Sequence, residues 1–186
     1  MPGHEQDIDT PNYRPVIRAI ERRGYAVVFV PINWADTTVE DWVHEFDEVY
    51  EGYNPDDVIL AGFSAGAMIA FICAAPRNPS ALWLFSLSPY FAEDLQSPLM
   101  DPLWLEGVGP RRVESSRQLH FDELAASIKC PTLLMDGEVE IARWPIMGER
   151  LTKAHRRLES SRLVVAKDAD HDITSQPYIT AIEASI

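Results

Sequence analysis

Five short apolar runs, separated by helical patterns, restrict the fold of this chain more than any other feature. They are Tyr25–Ile32, Asp57–Ala61, Ala81–Leu87, Thr132–Met135 and Arg162–Ala166. Their centres are continuously apolar rather than alternating, as expected of strands covered on both faces. Parallel strands need long crossovers, usually helical, and the stretches between the runs supply them. Tyr13, Val16, Ile17 and Ile20 recur at helical spacing, and Gly24 supplies a stop. Thr37 with Glu40 reads as a capping box ahead of the stripe Val39, Trp42, Val43, Phe46 and Val49. Residues 65–75 are apolar all round, which predicts an interior helix ended by Pro76. Met147, Leu151, Ala154 and Leu158 form another stripe, and a last helix is expected from about Ser175, with Pro177 in its first turn. The pattern predicts an α/β domain, a mainly parallel sheet with helices on both faces. At 186 residues the chain has length for one such domain, spanning 1–186.

Residues 89–130 interrupt the alternation. Prolines 98, 102 and 110, the aromatics Tyr90, Phe91, Trp104 and Phe121, and Arg111, Arg112 and Arg117 are scattered through them. A loop of that length inside a small domain is expected to be a cap or lid with short helices of its own. Its arginines face solvent or attract an anionic substrate.

Charge narrows the partners. Twenty-nine acidic against 16 basic residues leave a net charge of −13, which disfavours a nucleic acid, bound mainly through Lys and Arg. The apolar runs are too short to cross a membrane, and the first residues lack the basic start and apolar stretch of a signal peptide. Cys73 and Cys130 have no metal-ligand spacing, and reduced thiols in a cytoplasmic protein are expected. No clustered Cys/His motif suggests a metal, and no Gly-rich loop follows a strand, so no cofactor is expected.

The chemistry is concentrated at Gly62-Phe63-Ser64-Ala65-Gly66, which directly follows one apolar run and opens the all-apolar helix. A strand turning sharply into a helix projects its central side chain, and flanking glycines let the backbones come close. The N–H of Ala65, at the helix start, is then placed to donate to a developing oxyanion. The plainer alternative is a tight turn that merely contains a serine. Serine needs a base and an orienting carboxylate. His44 and His155 fall in amphipathic helices, His120 in the cap and His4 near the start. His171 alone lies in a polar loop after the last strand, at the carboxyl edge that Ser64 also occupies. The loop after Thr132–Met135 offers Asp136, Glu138 and Glu140, and spacing does not choose among them. Asp136, at the strand tip, is expected to stay over its own strand, whereas Glu140 has the reach to meet a histidine loop.

With GFSAG, CPTLLMDGEVE and ADHDI in place, the chain from Tyr13 onward resembles the α/β-hydrolase superfamily in its small-esterase range. The resemblance places the acid at Glu140, where Asp is commoner, with Asp136 as fallback. It implies a second oxyanion donor from a His-Gly-type loop, which Pro2-Gly3-His4 resembles, so the backbone of His4 is its candidate. The start departs from the superfamily pattern, because the strand expected ahead of that loop, between the runs Tyr25–Ile32 and Asp57–Ala61, is missing. Either the protein starts upstream of Met1 or its sheet closes without that strand.

These observations predict a serine hydrolase of a carboxylic ester or thioester, with Ser64 as nucleophile, His171 as base and Glu140 as orienting acid. Its partner would be a small acyl substrate, and Trp34, Phe63, Tyr90 and Trp104 are candidates to line the pocket. The same triad would serve an amidase, a peptidase or an acyltransferase. A non-catalytic binding module of hydrolase fold, or a truncated inactive fragment, is the rival from another class.

Overall fold

Four of the five apolar runs are strands. The computed structural model, which describes residues 1–186, has β1 (Ile59–Phe63), β2 (Ala81–Phe85), β3 (Thr132–Gly137) and β4 (Ser161–Ala166). They form one parallel sheet in the order β1-β2-β3-β4. Nine α-helices connect and flank them. Those that matter first are α1 (Arg14–Glu21), α2 (Val39–Tyr50), α3 (Ala65–Arg77), α8 (Pro145–Arg157) and α9 (Gln176–Ser185).

Successive strand residues point to opposite faces, and the sheet separates two cores accordingly. Leu82, Leu84 and Leu134 pack with Trp42 and Phe46 of α2, Met68 and Phe71 of α3, and Leu151 of α8. Trp83, Phe85, Leu133 and Met135 pack on the other face with Tyr13, Val16 of α1, and Tyr178 and Ile182 of α9. Each such large side chain contributes about 1.5–3 kcal/mol by leaving water. No helix is long and apolar enough to cross a membrane.

Some sequence expectations shift. The N-cap of α2 is Thr38, whose N–H donates to Asp41 Oδ2 at 2.8 Å, one residue on from the expected Thr37–Glu40 box. Thr37 Oγ1 instead donates to the carbonyl of Asn33 and accepts from Trp42 Nε1. Helix α3 runs on past Pro76 to Arg77, where Asn78 closes it in the left-handed region. The larger correction is Tyr25–Ile32, which is not a strand. A strand is defined by a ladder, and these residues make no backbone hydrogen bond. They border an apolar cleft of about 590 Å³, with β1 along its other wall.

The 89–130 segment does carry short helices: α4 (Pro102–Val108), α5 (Pro110–Ser116) and α6 (Phe121–Ser127). Phe121 stacks on Phe71 of α3, and Phe91 meets both rings edge to face. A buried ion pair between Arg150 of α8 and Asp94 lies against them, the guanidinium 4.0 Å from the Phe121 ring centroid.

Candidate active site

The turn from β1 into α3 sets the position of Ser64. Its backbone is at φ 55°, ψ −121°, a conformation that costs a non-glycine residue about 1–3 kcal/mol and aims the side chain out of the turn. The flanking glycines are required by contact. A Cβ on Gly62 would collide with the backbone of Gly66, and one on Gly66 with the carbonyls of Met1 and Pro2.

Ser64 Oγ lies 3.0 Å from His171 Nε2, and His171 Nδ1 lies 2.7 Å from Glu140 Oε1. The sequence-predicted trio is thus brought together from the ends of β1, β3 and β4. Glu140 stands on the first turn of the short helix α7 (Glu138–Arg143) rather than on a loop, and is fully buried. Gly137 lets the two loops meet, since a Cβ there would strike the carbonyl of Ala169, and Val139 N–H donates to that same carbonyl. Arg143 of α7 also bridges to Asp170, beside the histidine. With Glu140 accepting from Nδ1–H, Nε2 is left to accept the Ser64 proton.

Glu140 has support that the sequence did not reveal. Its Oε2 accepts from Ser86 Oγ at 2.7 Å and from Gly137 N–H at 3.2 Å. Tyr178 Oη lies 2.9 Å both from Ser86 Oγ and from the Met135 carbonyl. That carbonyl already accepts from Ser86 N–H. The carbonyl's second lone pair accepts the single Tyr178 hydroxyl proton, Ser86 gives its own proton to Glu140, and Tyr178 Oη packs against Ser86 Oγ. Ser88 Oγ stands 3.3 Å from Ser64 Oγ. The available signal for both serines was position: each follows β2 at the edge where Ser64 lies.

Asp136 remains at the tip of β3, buried, with no hydrogen-bond partner for either oxygen. Burial, reinforced by the charge of Glu140, pushes its carboxyl well above the usual range. It makes no hydrogen bond or ion pair with His171, whose Nδ1 is taken by Glu140.

Ser64 and His171 open into a cavity of about 460 Å³ that His4, Tyr90, Trp104 and Trp144 also border. Trp104 and Trp144 meet edge to face at 5.4 Å. Helices α4 and α5 contribute one wall, through Trp104 and Arg112. The N–H groups of Ala65 and His4 have no intramolecular acceptor, which leaves both available to a ligand. The His4 ring is fixed by Arg112 Nη1 at 2.8 Å from its Nε2. Arginine can only donate, so that nitrogen accepts; burial and then the Arg112 charge hold the imidazole below its ordinary pKa.

Two candidate lining residues lie elsewhere. Trp34 is buried against Trp42 and His4, with its Nε1 donating to the Gln6 carbonyl. Phe63 packs beside the His171 ring at 4.7 Å and borders the other cleft. A strand side chain next to the serine points to the opposite face from the cavity. No cluster of three or more His, Cys, Asp or Glu side chains is arranged for a metal ion.

No protein-family model matches the chain, and no curated protein matches it. Solved structures do. Est1E from Butyrivibrio proteoclasticus superposes with a TM-score of 0.78 at 17% identity, over 97% of this chain and 82% of that one. A Pyrococcus furiosus esterase gives 0.65 at 18% identity, over 98% and 77%. Mouse alpha/beta hydrolase domain-containing protein 10 gives 0.64 at 16%, over 100% and 85%. From its parallel sheet to its serine turn, this chain has the α/β-hydrolase fold.

Proposed function

We propose that the protein is a serine hydrolase that cleaves a carboxylic ester or thioester through an acyl-enzyme on Ser64. The observation that carries this reading is the unbroken hydrogen-bonded line Ser64–His171–Glu140 opening into a cavity. Ser64 Oγ attacks the acyl carbonyl while His171 Nε2 takes its proton. Glu140 holds the Nδ1–H tautomer and stabilises the imidazolium. The N–H of Ala65, with that of His4, holds the tetrahedral oxyanion. His171 returns the proton to the leaving alcohol or thiol, then activates the water that releases the acid. Resemblance in fold to esterases supports the same direction. One neighbouring structure is Est1E with ferulic acid bound. With Tyr90, Trp104 and Trp144 around the cavity, it supports an aromatic acyl group among the substrates.

The experiment is fluorophosphonate labelling with the modified residue located by mass spectrometry, alongside hydrolysis of p-nitrophenyl and hydroxycinnamoyl esters. Labelling confined to Ser64 is expected, with turnover about four orders of magnitude lower in Ser64→Ala. A folded protein that neither labels nor turns over these esters is instead a binding module.

A further inference from the structure

Arg112 of α5 borders the Ser64 cavity, yet no carboxylate pairs with it in a chain that carries 29 acidic residues. All of its hydrogen bonds run to neutral acceptors. Nε donates to the Thr37 carbonyl at 3.0 Å, Nη2 to the Trp34 carbonyl, and Nη1 to His4 Nε2 at 2.8 Å. The guanidinium also lies 5.6 Å from the Trp42 ring centroid. The place of this cation is fixed by what it holds, not by an opposite charge.

What it holds is the tip of a strained turn. The Gly3 carbonyl accepts from Gln6 N–H at 3.1 Å, which puts His4 and Glu5 at the two central positions. Glu5 is at φ 57°, a left-handed conformation that a residue with a side chain keeps only where its surroundings over-determine it. The base of the turn is fastened by Gly3 N–H, 3.1 Å from both Tyr13 Oη and Gln6 Oε1. The tip is fastened through the His4 ring, which meets Trp34 edge to face at 5.3 Å and accepts from Arg112.

The His4 N–H has no acceptor within the protein, and His4 borders the same cavity as Ser64. A donor to a developing oxyanion works from a fixed position, and a displacement of about 1 Å costs about 100-fold in rate. Helix α5 has its own anchors. Ser115 Oγ donates to Glu40 Oε2 of α2 at 2.7 Å, and Arg111 Nη1 to the Asp36 carbonyl at 3.4 Å.

We propose that Arg112 is a positioning residue: through the His4 ring it fixes the turn that presents the second oxyanion donor. The 89–130 segment then sets the oxyanion site as well as walling the cavity. This rests on the reading of Ser64 as the nucleophile of a hydrolase.

The test is steady-state hydrolysis of p-nitrophenyl acetate by the parent, Arg112→Met, His4→Ala and the double variant, with the Tm of each. All four keep the His4 N–H, and Met keeps an unbranched stem against Trp42. Each single variant is expected to lower kcat about 10- to 100-fold with KM within about twofold. Inhibition by benzeneboronic acid, whose tetrahedral adduct on serine mimics the oxyanion, should weaken by a similar factor. Because both changes break one contact, the double variant should fall no further than the worse single one. A lowered Tm with unchanged kcat overturns the proposal, because the contact is then structural only. So does a loss confined to Arg112→Met, or one seen only as a raised KM for p-nitrophenyl hemisuccinate, since the arginine would then bind substrate itself. Should Arg112→Met fail to fold, His4→Ala decides: unchanged kcat and unchanged boronate inhibition overturn the proposal. A folded parent that neither labels with fluorophosphonate at Ser64 nor turns over the ester overturns the hydrolase reading and this proposal with it. A parent that does both, matched by its variants, overturns this proposal alone.

Discussion

Ser86 carries more of the site than its place in the sequence suggests. It gives its hydroxyl proton to a carboxylate with no exposure to water, and a hydrogen bond to a charged group contributes about 1.5–3 kcal/mol. Ser86→Ala is therefore expected to lower kcat about 10- to 100-fold with KM little changed, and Ser86→Thr to restore most of the loss; steady-state kinetics on an activated ester checks both. Ser64 and His171 were legible in the sequence because each sits at a strand end in a turn of distinctive composition. The contact of Ser86 with Glu140 spans 54 positions and that with Tyr178 spans 92. Such pairings exist only once the sheet aligns their ends, and no local pattern announces them. The choice between Asp136 and Glu140 was likewise a matter of reach, decided by where α7 begins.

Among the elements, α8 and the 89–130 segment are joined by one charged contact in an apolar setting. Arg150 and Asp94 are each 1% exposed at the side chain, and the guanidinium lies over Phe91 and Phe121. Truncating one partner strands the other charge, so Arg150→Ala should cost about 3–5 kcal/mol of stability in urea unfolding. Helices were legible from their stripes: Met147, Leu151, Ala154 and Leu158 are all buried as the spacing predicts. Tyr25–Ile32 shows the limit of that reading. Its composition is that of a strand, but a strand also needs a neighbour to pair with, and composition carries no information about the neighbour.

At the scale of the whole molecule, stability depends on pH through the buried amino terminus. The unfolded chain takes up a proton there near pH 8, the folded one only near pH 5. Between those values the unfolded state binds more protons, so this group makes the fold less stable as pH falls through the window. Acetylating Met1 should therefore stabilise the protein at pH 5, by at most about 4 kcal/mol, and make no difference above pH 8. Urea unfolding of both forms across that range checks it. The strand order adds a consequence in time. Because β1, β2, β3 and β4 lie side by side in the order they are made, a ribosome exposes Ser64 more than a hundred residues before His171. Until β4 zips onto the far edge, the nascent chain carries a hydroxyl with no base beside it. On the proposed mechanism, synthesis thus works as a safety catch, and the serine would be armed only when the last strand of the sheet is in place.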